Sequence, residues 1–555
     1  MNHKIFAGIA IIFLCSGLTA FRHIAAATPS ANTCYINPSI GKEGNTGTRE
    51  EPFLNLEQVS LLRLNPGDSI LLAAGTVVHG SLILRNVRGT EKLPVVITSY
   101  QEQKNRVRHA TINAKGYGMG VLLENCNHVR IEKLLITADG GGLTNVSEKA
   151  GMRCGVLVKT SEPGTFGDIT LSHLSIKNVF FEEEGFQRGA KEVHSANGTQ
   201  RYGWGIRFMS ETEGALLKNL RVEDCEVRNV SHTGIKFTGQ KQNIRNVTVR
   251  GNKIVETGGP GLQFSNVING SVNDNYISHS GSNSDSRKWG RGSGLWTWSC
   301  TDFVIEYNQF LHANGPGDSA GCHIDYNCRD IIVQYNLSAN NAGGFIEILG
   351  NNHNCAYRYN ISVNDGFRVK GKNGAFQEGK VLWTSGFVGK EKKKIGPFNS
   401  YIYNNTIYVK EESRSCFSIS PTTRGLLIAN NIFHIPGETV NVSGDQDTRS
   451  EDEGRTAENV VLINNLYIHG DVIPASLAVK DSKPLIGDPE FERPGITDAR
   501  GYLPHAVDLI RDKGIYIDKL PGDSIGLRTG LDVRKDYFGN PVKGKPDMGA
   551  IELQQ

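Results

Sequence analysis

An asparagine recurs at one position of eight successive short segments, and this repeat constrains the fold more than any other feature. The segments read VTVRGNKI, GSVNDNYI, FVIEYNQF, IIVQYNLS, CAYRYNIS, SYIYNNTI, LLIANNIF and VVLINNLY. Their shared positions are Asn252, Asn275, Asn308, Asn336, Asn360, Asn405, Asn431 and Asn465. Apolar and polar residues alternate around each Asn, which is the period of a β-strand. Repeats of this length, built from short strands, predict a parallel β-solenoid.

The repeated Asn has a physical reason to be there. Equivalent residues of successive coils lie about 4.8 Å apart, so stacked amides can hydrogen-bond to one another and to the backbone of the bend. We therefore expect these Asn to be buried and structural, including Asn336 and Asn360, which begin N-x-S sequons. Earlier in the chain, Cys225, Leu174 and Leu134 fill the equivalent slot.

The N-terminus has the layout of a secretory signal peptide. Lys4 precedes an apolar run, and small residues follow it up to residue 27. No later stretch is apolar enough to span a membrane. We therefore predict a signal peptide over residues 1–27 and a secreted or periplasmic protein without a membrane span, which we expect to be a monomer.

Three further segments follow the signal peptide. Residues 34–113 are predicted to form an N-terminal cap and the first coils, with a short helix starting near Leu54. Residues 114–475 are predicted to form the solenoid core with loop insertions, and residues 476–555 a closing segment.

Charge and cysteine content exclude some partners. The chain has 60 Lys and Arg against 57 Asp and Glu, and its one dense basic run, KEKKK at 390–394, is too short for a nucleic-acid surface. Nine cysteines remain after the signal peptide, without CxxC or zinc-like spacing. We expect most to be small core residues. A Cys322–Cys328 disulfide is an alternative for two of them, because exported proteins form disulfides.

Several motifs together resemble a known group of proteins. PF-x-L and PGDSI-x-L-x-x-G precede the Asn repeat, and D-P-x-F, D-Y-F-G-N-P and D-x-G-A-x-E close the chain. They resemble bacterial secreted right-handed parallel β-helix proteins of the pectate-lyase-like superfamily. The resemblance implies an all-β, single-stranded right-handed parallel β-helix with an N-terminal helical cap and a C-terminal closing segment. It does not decide function, because the superfamily includes lyases, hydrolases, epimerases and non-catalytic binders.

A second strand follows each Asn segment and displays a polar stripe. The strands begin GIRF, GIKF, GLQF, GLWTW, GCHID, GFIEI and GFRV. Alternation points Ile206, Ile235, Leu262, Leu295 and Cys322 inward. The predicted outward set that binds substrate contains Arg207, Lys236, Gln263, Trp296, Trp298 and Arg368, with His323 in the same stripe. Exposed tryptophans suit sugar rings, so we predict a saccharide groove, with a salt-bridged face as the plainer alternative.

Asp325 and Glu347 are the candidate catalytic pair. Both follow an Ile in the outward phase and lie one coil, 22 residues, apart. As neighbours on adjacent strands their carboxyls would be about 5 Å apart, the separation of retaining glycosidases. Two acids so close cannot both ionise easily, so the pKa of one rises and it becomes the proton donor.

The stretch HIDYNCRDIIVQYNLSANNAGGFIEILGNNHN resembles β-helix glycoside hydrolases of the β-xylosidase type. That resemblance implies nucleophile and acid/base roles for Asp325 and Glu347. It further implies that His323 tunes the acid as part of the catalytic set and that His353 contacts substrate.

Two alternatives remain open at this point. A polysaccharide lyase would need a Lys or Arg as base and Ca²⁺ or an Arg beside the uronate carboxylate, and Lys236, Arg207 and Arg368 are the candidates for these roles. A compact Asp cluster for Ca²⁺ is missing, and Asp318, Asp325 and Glu347 are the only candidate ligands. A non-catalytic glycan-binding β-helix is the other alternative. For a hydrolase we expect no metal and no cofactor.

Loop insertions are predicted to wall the groove, because insertions in solenoids collect on the binding face. They span 138–153, 182–203, 283–293 and 370–398. The loop SDSRKWGRGSG carries Arg287, Lys288, Trp289 and Arg291, which would suit a sulfated or uronic polymer.

Overall fold

The computed structural model describes residues 32–101, 108–143, 152–195, 201–389, 391–444, 456–477 and 479–554. The predicted signal peptide lies outside these ranges, so it stays a prediction. In the described ranges, no helix combines the length and apolarity needed to cross a membrane.

Three long parallel sheets make up the described chain. Sheet 1 contains Thr33–Ile36, Ser69–Ala73, Val95–Tyr100, Asn127–Glu132, Gly164–Ser172, Ala215–Glu223, Ile244–Arg250, Val267–Asn273, Thr301–Glu306, Arg329–Gln334, Ala356–Arg358, Phe398–Tyr403, Arg424–Ala429 and Glu458–Ile463. Sheet 2 contains Leu82–Arg85, Met119–Glu124, Arg153–Lys159, Gly203–Ser210, Ile235–Gly239, Leu262–Ser265, Leu295–Trp298, Cys322–Ile324, Gly344–Ile348, Lys380–Thr384, Ser415–Ser418 and Thr439–Asn441. Sheet 3 contains Val77–His79, Ala110–Asn113, Leu134–Asp139, Ser175–Phe180, Glu226–Val230, Lys253–Thr257, Tyr276–Ser278, Gln309–Leu311, Leu337–Ala339, Ile361–Val363, Thr406–Tyr408, Ile432–His434, Leu466–Tyr467 and Leu485–Ile486.

Each coil runs from sheet 1 to sheet 3 to sheet 2 and then rises to the next coil of sheet 1. Alternate side chains of every strand point into the coil and stack on their equivalents above and below. Phe208, Phe237 and Phe264 form such a column, with ring centroids 4.5 and 5.1 Å apart. The predicted all-β parallel β-helix is confirmed, in the right-handed sense that parallel crossover connections take.

The Asn ladder lies at the bend between sheet 1 and sheet 3, as predicted. Asn336 is fully buried; its Nδ2 donates to Asn360 Oδ1 at 3.0 Å and to the carbonyl oxygens of Ile305 and Gln334, each at 2.8 Å. The same amide-to-amide bond repeats from Asn252 to Asn465. The ladder ends on the carboxylate of Asp481, which accepts from Asn465 Nδ2 at 2.7 Å.

The N-terminal cap contains the expected helix, Leu56–Ser60. Asn55 and Gln58 form a capping box, in which the side chain of each residue accepts a hydrogen bond from the backbone N–H of the other. Leu56 and Val59 are buried in the core. The other short helices are Val507–Ile510 and the 3₁₀ turns Glu192–His194 and Ala499–Tyr502.

The closing segment does more than cover the last coil. Leu485–Ile486 adds the final strand to sheet 3. Beyond it the chain packs along the outer face of sheet 1, where Leu520 and Leu527 join a cluster around Tyr401 and Tyr403. Tyr401 Oη donates to Asp523 at 2.5 Å. The domain division at residues 113 and 475 stays a prediction.

None of the nine described cysteines forms a disulfide bond. Cys322 points into the core from sheet 2, and Cys328 lies at the following bend, where its Sγ donates to Thr297 Oγ1 at 3.4 Å. The Cys322–Cys328 bridge is therefore not formed.

Asn336→Ala should destabilise the solenoid. The substitution leaves buried carbonyl and N–H groups without partners, at about 1–3 kcal/mol for each. The midpoint of urea unfolding should fall clearly below that of wild type. Asn273→Ala is the matched control, because Asn273 faces outward on sheet 1 and donates to Ser271 of its own strand. Equal midpoints for the two variants would contradict a structural ladder.

Candidate active site

A cleft of about 460 Å³ opens on the outer face of sheet 2. Its wall contains acids, one arginine, one lysine and a set of aromatic and apolar groups, namely Asp318, Asp325, Glu347, Arg291, Lys236, Gln263, Trp296, Trp298, Tyr326, Leu349, Trp383, Phe387 and Val388, among others. Larger clefts of about 890, 720 and 570 Å³ lie elsewhere. The 720 Å³ cleft is a mixed-charge face of sheet 1. We place the candidate site in the cleft on sheet 2, because acids, cations and tryptophans meet there.

Most of the predicted stripe is formed, and Arg368 is the exception. Strand register makes Arg207, Lys236, Gln263, Trp296 and His323 consecutive neighbours across sheet 2. Their inward neighbours, among them Ile206 and Ile235, are fully buried. Trp298 is 40% exposed and stands one row further along, beside the cleft.

The predicted pairing of Asp325 with Glu347 is wrong. Ile324 pairs with Ile348, so Glu347 stands beside His323, and the position beside Asp325 is Leu349. The coil is 24 residues long here, and Gly344 is not the equivalent of Gly321. The two acids are diagonal neighbours, with α-carbons about 8 Å apart by strand geometry. Both still line the cleft.

Glu347 and His323 form a buried ion pair. His323 Nδ1 lies 3.2 Å from Glu347 Oε2, and each side chain is 4% exposed. Burial alone lowers the pKa of His323, but the hydrogen bond and charge of Glu347, with the charges of Asp325 and Asp318, raise it to about 9. The imidazole is therefore charged at neutral pH. It lies beneath the cleft and is not part of its wall.

Asp325 is the acid without a partner. Its pKa is raised to about 7: burial is the largest cause and the charges of Asp318 and Glu347 add to it, while the charges of His323 and Arg291 oppose them. Within the described chain, no protein group donates a hydrogen bond to its carboxyl. The carboxyl faces the cleft and holds a proton near neutrality, as a general acid must.

Asp318, unlike Asp325, is held as an ionised carboxylate. Arg291 Nε and Nη2 donate to its two carboxylate oxygens at 2.8 and 3.0 Å. Burial by itself raises the pKa of Asp318, but the charge and hydrogen bonds of Arg291, helped by the charges of His323 and Arg368, bring it below its ordinary value. Two acids of one cleft thus differ in ionisation because they differ in partners.

Arg368 does not lie on the groove face, contrary to prediction. Residues 366–369 form a loop, and the strand of that coil is Lys380–Thr384, because an insertion separates them. Arg368 is buried behind the cleft; its Nη1 donates to the carbonyl oxygens of Asp318 and Gly315 at 2.9 and 3.1 Å. It braces the loop that carries Asp318.

His353 also lies outside the cleft. It bridges between Arg329 and Phe398 at the start of sheet 1, and its ring stacks on Phe398 with centroids 4.5 Å apart. It belongs to a different face of the coil from Asp325 and does not line the cleft on sheet 2.

The basic loop of residues 284–294 is held against the protein by ion pairs and by ring stacking. Arg287 pairs with Asp139 at 2.6 Å and with Asp285 at 2.8 Å. Trp289 stacks on His232, with centroids 4.8 Å apart. Of the loop's four basic or aromatic residues named from sequence, Arg291 alone lines the cleft.

Sequence reasoning missed two parts of the site. Asp318 and Arg291 were named only separately, as a metal candidate and a loop cation, and their pairing is visible only in the structure. Trp383 is the strand neighbour of Glu347. The motif KVLWTS could have identified it, but the insertion predicted at 370–398 included this strand, Lys380–Thr384.

The cleft contains unused hydrogen-bond donors. The indole Nε1 atoms of Trp296 and Trp383 are buried and have no partner within the described residues. Buried polar groups are normally satisfied, so these donors point to a ligand rich in oxygen acceptors. Their rings supply the flat apolar surface that sugars stack on.

Among the described residues, no group of three or more His, Cys, Asp or Glu side chains is arranged to hold a metal ion. The Ca²⁺ site considered for a lyase is therefore not formed by Asp318, Asp325 and Glu347. Arg291 holds Asp318, and His323 holds Glu347.

Comparisons with known proteins agree with this architecture. The family model described as "Right handed beta helix region" matches residues 204–385. A GH136 lacto-N-biosidase from Eubacterium ramulus aligns with a TM-score of 0.51 and 22% identity, covering 74% of this chain and 68% of that one. The chain is a right-handed parallel β-helix protein.

A curated relative matches along most of the chain. The lacto-N-biosidase of Bifidobacterium longum subsp. longum is 25% identical over an alignment of 645 residues. The alignment covers 96% of this chain. The chain spans 37% of the length of that relative.

Asp325→Asn should stabilise the fold at alkaline pH. The folded-state pKa of about 7 lies above that of an unfolded Asp, so the native state loses stability as pH rises from about 4 through 7. The neutral amide avoids this loss. The melting temperature of Asp325→Asn should exceed that of wild type at pH 8 and match it at pH 4. Asp532→Asn, at an exposed site, should show no such difference, and a pH-independent gain for Asp325→Asn would contradict the raised pKa.

Proposed function

We propose that this protein is a glycoside hydrolase that cleaves an oligosaccharide bound in the cleft of sheet 2. One observation carries the proposal: Asp325 and Asp318 share a cleft, and their surroundings drive their pKa values in opposite directions. A protonated and an ionised carboxyl facing one ligand are the two groups that glycoside hydrolysis needs.

The proposed reaction is a double displacement. The Asp325 carboxyl gives its proton to the glycosidic oxygen as the bond to the anomeric carbon breaks, and the Asp318 carboxylate attacks that carbon. Water then attacks the anomeric carbon, Asp325, now ionised, accepts the proton of the water, and the bond to Asp318 breaks so that Asp318 leaves as a carboxylate. Asp318 raises the pKa of Asp325 through its charge, so the ionised nucleophile helps to keep the proton on the acid.

Glu347 was the nucleophile or acid expected from sequence, and Asp318 suits the nucleophile role better. Glu347 is 4% exposed and ion-paired with the buried His323. Asp318 is held by Arg291 with both oxygens in a fixed plane. We propose that Glu347 and His323 are positioning residues: the pair sets the local charge around Asp325.

The remaining features support a saccharide ligand. The acids are surrounded by Trp296, Trp298 and Trp383. The indole N–H groups of Trp296 and Trp383 have no acceptor within the described residues. The curated relative is a lacto-N-biosidase, a glycosidase by name, and we propose the same class of reaction here. The layout of residues 1–27 supports our further proposal that the protein is exported.

Replacing the proton donor Asp325 should remove most of the activity and also the fall of kcat/KM at alkaline pH. On a panel of aryl glycosides and oligosaccharides that includes an aryl lacto-N-bioside, we expect wild-type kcat/KM to fall as pH rises through about 7, because Asp325 then loses its proton. Asp325→Asn should lower kcat/KM by about 10²–10⁴-fold and remove this fall at alkaline pH. Full activity of the variant, or an unsaturated product that absorbs in the ultraviolet, would exclude the hydrolase proposal.

Azide rescue should assign the two carboxylates. With an activated aryl glycoside, Asp318→Gly plus azide should yield a glycosyl azide of inverted configuration, and Asp325→Gly plus azide one of retained configuration, because azide replaces the nucleophile or attacks the glycosyl-enzyme. Product configuration is read by NMR. Glu347→Gln is the control and should yield no azide adduct; an inverted azide from Glu347→Gly would transfer the nucleophile role to Glu347.

A further inference from the structure

Two buried cations lie at the end of the cleft away from the acids, Lys236 in its wall and Arg207 on the next strand. Arg207 and Lys236 are strand neighbours on sheet 2 and are only 5% and 6% exposed. Thr238 follows Lys236 on the same outward face, and both line the cleft. This group of three residues, Arg207, Lys236 and Thr238, is called the basic end below.

The basic end has donors without acceptors. Lys236 Nζ makes no hydrogen bond or ion pair within the described chain, and Arg207 Nε and Thr238 Oγ1 are buried without partners. The Arg207 guanidinium lies over the Trp204 ring at 4.7 Å, and its Nη1 meets the weak acceptor Met152 Sδ at 3.2 Å. Buried donors are rarely left unsatisfied in proteins.

Among the described residues, no acid forms an ion pair with either cation of the basic end. The carboxylate whose charge acts on both cations is Glu211, which is exposed and forms an ion pair with neither in the described residues. Burial and the neighbouring Arg207 lower the pKa of Lys236 to about 7, as expected where no anion is present. Two like charges buried side by side are costly unless an anion joins them.

Distance separates the basic end from the reacting acids. Lys236 and Asp325 lie three strands apart on sheet 2, about 14 Å at the usual strand spacing. Gln263 and Trp296 form the floor between them. An anion at Lys236 would thus belong to a different sugar unit from the one that Asp325 and Asp318 attack.

We propose that the basic end is a subsite for a negatively charged sugar unit, bearing a carboxylate or a sulfate ester, of the oligosaccharide that the cleft takes. The inference rests on the proposed hydrolase function for the polarity of the cleft and goes beyond it in naming the substrate class. Lys236 and Arg207 supply the charge, and Thr238 Oγ1 supplies a hydroxyl donor to one of the anion's oxygens.

The test uses binding by Asp325→Asn, so that turnover does not consume the ligand. The variant is first screened on an array of neutral, carboxylated and sulfated glycans. Acidic glycans should dominate the bound set; binding of neutral and acidic glycans alike, or of no glycan, would overturn the proposal. A bound set restricted to uronic or sialic glycans identifies a carboxylate ligand, and one restricted to sulfated glycans identifies a sulfate ester.

Titration calorimetry then compares the best acidic glycan with its carboxyl-reduced or desulfated form. We expect at least a tenfold preference for the acid. Adding Lys236→Met should reduce this preference to near unity, Lys236→Arg should keep it, and Lys218→Met, on the face of sheet 1, should leave it unchanged. A preference that survives Lys236→Met overturns the subsite. Rapid hydrolysis by Asp325→Asn would instead refute the catalytic proposal and leave the binding result to stand by itself.

Discussion

The structure depends on one constraint, the constant spacing of parallel strands from coil to coil. Each backbone N–H and C=O group of a strand is satisfied by the coils above and below, and the buried Asn amides repeat this at the bend between sheets 1 and 3. An amide that lost its partner there would leave backbone groups unsatisfied in the core. Because every coil is held in register, residues at one strand position become a column, and a column on the outer face becomes a groove.

The cleft owes its chemistry to how three acids are partnered. Arg291 fixes Asp318 as a carboxylate, and His323 pairs with Glu347 beneath the surface. Asp325 has neither, so burial and the neighbouring charges keep it protonated near neutrality. The basic loop supplies Arg291 from outside the regular coils, and Arg368 braces the loop that carries Asp318. His323 comes from a strand of sheet 2 itself. The regular sheet thus provides the platform and the partner of Glu347, and the loops set the ionisation of Asp318.

Much of this could be predicted from the residues. The Asn spacing gave the coil repeat, and strand alternation placed Arg207, Lys236, Gln263, Trp296 and His323 in one outward row. The predictions were wrong where an insertion changed the length of a coil. A slip of one residue turns a side chain to the opposite face, so the phase of Glu347 could be inferred but not its neighbour. Arg368 was placed on a strand that is a loop, and Trp383, on the true strand, was overlooked.

The sequence by itself determined the fold, the ladder and the presence of acids on one face, because these follow from local alternation and a repeated residue. The tertiary structure decided which acid is protonated and which is ionised. Ionisation depends on burial and on charges brought close by folding, and the Arg291 that holds Asp318 lies 27 residues away in the chain. Sequence spacing carries no information on such distances when loops of variable length intervene.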